Sequence, residues 1–225
     1  MAMKTLSYAQ ARPLMKAGDV IAFSGKGHFS EVIKLATRSG VSHVGVVLQT
    51  QVMEIESGKF FNQIIESATI RGFSGVSISL LSERLDEYEG DIWWLPIQAK
   101  LTENPENHKA FYNFLFQQAK LKKPYDFPQA VQSAVDAMDE LPFGLHGPGY
   151  NREDFSRFFC SELVAAALER AKIVGTINAS EVTPIDLCRW NIYEQDYYLL
   201  KQGNPDKPAQ SITRFNSMDP ALWNL

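Results

Sequence analysis

The chain has 225 residues, 45% hydrophobic and 21% charged, the make-up of a soluble globular protein with room for one sizeable core. Its net charge of −4 offers no basic stripe for counterion release, which excludes nucleic acid as a partner. There is no run of ~18 apolar residues and no apolar stretch of the secretory type near the start, so the expectation is a cytoplasmic protein without a transmembrane segment, its two cysteines free.

In chain order, DVIAF (19–23) reads as a short strand. HFSEVIKLATRS (28–39) reads as a helix with Val32, Ile33, Leu35 and Ala36 along one side and Gly40 as its stop. The period then changes. Segments 41–49, 52–57, 63–68, 75–81 and 91–97 are short, rich in β-branched or aromatic residues, and separated by Gly, Asn or Gln, which predicts an antiparallel meander. After Pro105 helical spacing returns, with Phe111, Phe114 and Leu115 on one face and Pro124 as the stop. A second helix is predicted over 128–141, with Pro128 in its first turn. The Gly- and Pro-rich stretch PFGLHGPGYNREDFS that follows is long enough to serve as a lid. Cys160 opens an alanine-rich helix, and TPIDL (183–187) leads into a short helix near Cys188 and Trp190. Strands gather early and helices late, so the fold class is α+β in a single domain, 1–225.

Cys160 stands out by position. A thiol in the first turn of a helix faces unpaired backbone N–H groups and the positive end of the helix dipole, both of which favour thiolate. A thiolate nucleophile needs a base within reach, and the base needs an orienting group. Of the four histidines, His108 lies in a polar helix start, His146 in the proposed lid and His28 beside a Gly-rich turn. His43 sits on a strand, SHVGVV, which makes a precise platform, and Gly45 on the same face of the pleat leaves space for an approaching substrate. Glu54, Glu56 and Glu66 are candidate orienting carboxylates on strands. Glu54 and Glu56 share one face, the pattern of a solvated pair, whereas Glu66 follows Ile64 and Ile65 in an apolar strand where an isolated carboxylate needs a partner. Glu66 is therefore preferred, with Glu56 second. GKGHFS lacks the spacing of a phosphate-binding loop, and no HExxH, CxxC or other ligand spacing calls for a metal; Cys188, in DLCRW, reads as a core residue.

Taken together and in order, GDVIAFSG, SHVGVVL, IIESA with GVSISLLSERL, KKPYDF, FFCSELVAAAL and VTPIDL resemble the circularly permuted NlpC-like, YiiX-type branch of the papain-like cysteine hydrolases. The resemblance runs from about residue 18 to 188. It implies a permuted papain-like fold, with an antiparallel sheet or small barrel packed on the cysteine helix, and Cys160 as nucleophile, His43 as base and Glu66 as orienting residue. It also implies that Tyr125, in PYDF, donates a hydrogen bond to the oxyanion. The chain departs from the related cell-wall peptidases between Tyr125 and Cys160, where a helix and loop insertion at about 128–156 is expected to carry specificity, and in an extension after about residue 190.

The function expected on these grounds is a thiol-dependent hydrolase, amidase- or peptidase-like, cleaving an amide or ester bond through an acyl-cysteine without a cofactor. Its substrate is a small molecule, a peptide or a lipid. Two other readings share the same residues: a lipid-directed acyltransferase or phospholipase, as in the lecithin:retinol acyltransferase group that the fold also resembles, and a papain-like shell that binds a ligand without turnover.

Overall fold

The computed structural model describes residues 2–25, 30, 33–34, 37, 39–53, 60–99, 104–125 and 159–212. Seven strands form one sheet: β1 (Ala2–Thr5), β2 (Val20–Ser24), β3 (His43–Met53), β4 (Phe60–Ile70), β5 (Phe73–Leu80), β6 (Asp91–Leu95) and β7 (Asp196–Lys201). Their order is β1-β7-β6-β2-β3-β4-β5, antiparallel throughout except for the parallel pair β1/β7. The described strands make an open sheet, with β1 and β5 at its edges.

Alternation along the central strand divides the core. On β2, Val20 and Ala22 enter one apolar cluster while Ile21 and Phe23 enter the other, so this strand is covered on both faces. The first face carries α3 (Pro105–Lys120), α4 (Cys160–Arg170) and α5 (Pro184–Arg189); the second carries α1 (Tyr8–Ala11) and α2 (Leu81–Glu87). Buried Asp19 leads into β2 and accepts hydrogen bonds from the Lys16 N–H (2.8 Å), the Ile97 N–H (2.9 Å) and the Trp94 Nε1–H (2.8 Å). Burial drives its carboxyl up to about 6 against those donors.

Local sequence explains where the helices start. Asn104 caps α3, its Oδ1 accepting from the Glu106 N–H at 2.9 Å, with Pro105 in the first turn. The helix stops at Lys120, ahead of Pro124, because Lys122 turns the chain at φ 48°. In α4 the first nine residues are all buried, and the run Ala165, Ala166, Ala167 lets the helix lie close on β3, β4 and α3. Thr183 caps α5, and its hydroxyl and N–H both donate to Asp186.

Three expectations are corrected. The polar break expected between segments 41–49 and 52–57 is no turn: β3 runs on from His43 to Met53, and the break is absorbed by register shifts and by Gln51 at φ 56°, a bulge, while residues 54–57 lie outside the described residues. The meander holds for β3-β4-β5, but β6 pairs with β2 instead of β5. Residues 196–201, outside every predicted element, form β7 between β6 and β1. Residues 30, 33 and 34 of the predicted 28–39 helix are helical. The rest of that helix, apart from Thr37 and Ser39, lies outside the described residues, as do the 128–141 helix and the lid stretch. Among the described residues no helix is long and apolar enough to cross a membrane.

Candidate active site

The start of β3, the middle of β4 and the N-terminus of α4 meet on the sheet, and each supplies one titratable side chain. His43 is the first residue of β3; Ser42 before it donates its N–H to the Phe23 carbonyl (2.9 Å) and accepts from the Gly25 N–H on its hydroxyl (2.9 Å), which fixes the strand entry. Glu66 lies in β4 among buried neighbours and is itself fully buried, at 0%. His43 Nε2 stands 2.7 Å from Glu66 Oε2, so the ring presents Nδ1 as its other nitrogen. Cys160, 1% exposed, is the first residue of α4 and lies within electrostatic reach of the His43 side chain. The His43 side chain keeps 14% exposure, so the site opens on the imidazole side.

Arg84, on α2, grips Glu66 from behind. Its Nε donates to Glu66 Oε1 at 2.6 Å and its Nη2 to Oε2 at 3.0 Å. The same guanidinium lies 5.6 Å from the centroids of Phe23 and Tyr88, and the Phe23 ring packs on His43 with centroids 5.2 Å apart. Four charged groups and two aromatic rings thus pack in one connected cluster.

The electrostatics follow from that packing. Burial pushes the Cys160 thiol up, but the His43 imidazolium and the backbone N–H groups of Val44 and Ser161 outweigh it and hold the thiol below its ordinary value. Burial likewise disfavours the charged imidazole, yet Cys160 and then Glu66 overcome it and raise His43 to about 9. Burial would raise Glu66, and His43 followed by Arg84 bring it below the usual carboxylate range. Both shifts run in the direction that favours thiolate and imidazolium over the neutral pair. Cys188 shows the opposite: on the buried face of α5, burial drives its thiol up.

Gly45 takes a different part from the one expected. A Cβ there would lie 2.8 Å from Ile64 Cδ1 and 3.2 Å from Glu66 Cβ, so the missing side chain makes room for β4, not for a substrate. It sits one step from the Val46–Ile65 pair and so faces Glu66, whose carboxylate then leans diagonally to His43. Gly45→Ala is expected to cost about 1–3 kcal/mol through overcrowding and to slow Cys160 alkylation by displacing Glu66. Urea denaturation and iodoacetamide kinetics on the same protein check both effects.

Tyr125 is half-buried beside the edge strand β5, following Pro124, whose backbone bridges to Gly75; the Lys123 carbonyl accepts from the Val76 N–H at 2.8 Å. His108 is exposed on α3. His28, His146, Glu54 and Glu56 lie outside the described residues. Sequence reasoning passed over Arg84: it was within the quoted GVSISLLSERL, but an arginine among Glu83, Asp86 and Glu87 reads as a solvated helix face. The available signal was its helix following directly on the strand beside Glu66. Among the described residues no group of three or more His, Cys, Asp or Glu side chains could hold a metal ion.

No family model matches the chain, and no curated protein matches it. Among solved structures it is similar to the metalloprotein yiiX from Escherichia coli O157:H7, at 21% identity and a TM-score of 0.45, over 69% of this chain and 66% of that one.

Proposed function

We propose that this protein is a thiol-dependent hydrolase of amide or ester bonds, built as a circularly permuted papain-like domain with Cys160 as nucleophile, His43 as general base and acid, and Glu66 as the residue that orients His43. The observation that carries the reading is the convergence of three side chains from β3, β4 and α4, with Glu66 bound to His43 Nε2 and Nδ1 left for the sulfur. Strand and helix termini hold these groups before any substrate arrives, which is the preorganisation that nucleophilic catalysis needs.

In the proposed cycle the Cys160 thiolate attacks the substrate carbonyl carbon, a C–S bond forms, and the oxyanion is met by the Cys160 backbone N–H at the start of α4 and by the Tyr125 hydroxyl. Imidazolium then gives its proton to the departing nitrogen or oxygen as the C–N or C–O bond breaks, leaving a thioester and neutral His43. Water, deprotonated by His43, attacks the thioester; the acid leaves and the thiolate–imidazolium pair is restored. Glu66 accepts from Nε2–H throughout, holding the tautomer that keeps Nδ1 available.

Incubation with a panel of activated aryl esters and peptidyl aryl amides, read by intact mass, tests this. An acyl increment is expected that maps to Cys160 and decays in water, and the nature of the retained acyl group reports the substrate class. Absence of any Cys160 adduct across the panel, or an adduct formed equally by the His43→Ala protein, contradicts the reading.

A further inference from the structure

We propose that Arg84 is a positioning residue of this site: by gripping both oxygens of Glu66 it sets Oε2 against His43 Nε2 and supplies the counter-charge that the buried carboxylate requires. The inference rests on the thiol-hydrolase reading and adds a fourth member to its machinery.

The geometry is that of a planar fork meeting a carboxylate, with Nε and Nη2 each engaging one oxygen, an arrangement that a lysine ammonium cannot reproduce. Oε2 is shared, accepting from Arg84 Nη2 at 3.0 Å and facing His43 Nε2 at 2.7 Å, so the arginine defines which lone pair the imidazole meets. The Phe23 ring packs near both partners, its centroid 5.6 Å from the Arg84 guanidinium and 5.2 Å from that of the His43 ring. Its side chain is only 10% exposed, and that of Glu66 has no exposure, so neither charge is relieved by water.

Charge counting gives the consequence. Glu66 and Arg84 cancel, and Cys160 thiolate and His43 imidazolium cancel, so the resting cluster is neutral overall. Without Arg84 one unbalanced negative charge is left among Cys160 on α4, His43 on β3, Glu66 on β4 and Tyr88 after α2. Glu87, on Arg84's own helix, is engaged by Arg71. An unbalanced buried charge is relieved by taking up a proton. Protonation of Cys160 removes the nucleophile directly. Protonation of Glu66 removes the charge that sustains the imidazolium, and with it the thiolate.

The test compares the pH dependence of Cys160 alkylation by iodoacetamide in the parent, Arg84→Met, Arg84→Lys, Glu66→Gln and the double variant Glu66→Gln/Arg84→Met, with folding followed by circular dichroism. Arg84→Met is expected to move the acidic limb upward by about one pH unit or more, a roughly tenfold loss of rate on that limb. Arg84→Lys recovers part of the shift. The double variant, with neither buried charge, is expected to fold and to titrate as Glu66→Gln does, because Arg84 acts through Glu66. A folded Arg84→Met protein that titrates like the parent overturns the proposal. If Arg84→Met does not fold, the double variant decides: agreement with Glu66→Gln supports the proposal, and a clear further shift overturns it. A parent whose own limb lies at the ordinary thiol value sinks the hydrolase reading instead, so the two failures are distinguishable.

Discussion

Replacement of Cys160 by alanine is expected to lower hydrolysis of the substrate class found by adduct formation by about 10⁴-fold, the scale of losing the nucleophile from an acyl-transfer site. His43 and Glu66 remain, but with no sulfur to carry the acyl group they can only polarise water. The fold should survive, since the change removes one atom at the start of a helix whose packing comes from Leu163, Val164, Leu168 and the alanines between them. Cys188→Ala is the matched control, being equally buried but on the core-facing side of α5. It should leave the rate within about twofold and lower stability by roughly 1 kcal/mol. Initial rates and thermal melting on both variants check this pair, and a Cys160→Ala protein that keeps about a tenth of the parent rate refutes the role of the sulfur.

Glu66→Ala is expected to be the most damaging single change to stability, costing about 3–5 kcal/mol because it leaves the Arg84 guanidinium buried without its counter-ion. Against a typical stability of about 5–15 kcal/mol that is a large share. Chemical denaturation measures it. The exposed pairs provide the contrast. Lys4 with Asp196 and Arg71 with Glu83 and Glu87 sit in solvent, where screening and side-chain entropy leave such pairs contributing little. Asp196→Ala should therefore be close to neutral. If Glu66→Ala proves as mild as Asp196→Ala, the buried cluster is not the electrostatic centre described above.

Much of this was legible in the residues because local chemistry and tertiary role coincide. β2, β5 and β6 carry β-branched and aromatic runs, α3 begins at an Asn-Pro pair, and α5 at a Thr-Pro pair, so each announces itself within a few residues. His43, Glu66 and Cys160 were conspicuous for the same reason, each being a reactive or charged residue set in an apolar stretch. What escaped depends on partners far away in the chain. β1 is four residues long and mostly exposed, and only the arrival of β7, about 190 residues later, gives it a ladder. β6 leaves the meander because β2 offers it an unoccupied edge, a choice that the β6 residues do not encode. Arg84 did not stand out because its helix neighbours are acidic, and only the packing of α2 on β4 turns it inward to Glu66. Gly45 was read as space for a ligand when the space belongs to Ile64 and Glu66, since one strand alone cannot show what lies across the ladder from it.

On the proposed mechanism Cys160 rests as a thiolate sustained by His43. The rate of Cys160 alkylation by iodoacetamide from pH 4 to 10, in the parent and in His43→Ala, measures this directly. The parent is expected to be reactive already well below the ordinary thiol value of about 8.5 and to hold a plateau until His43 loses its proton near pH 9, with that low-pH reactivity gone in His43→Ala. A parent whose rate climbs only near the ordinary thiol value, indistinguishable from His43→Ala, contradicts it.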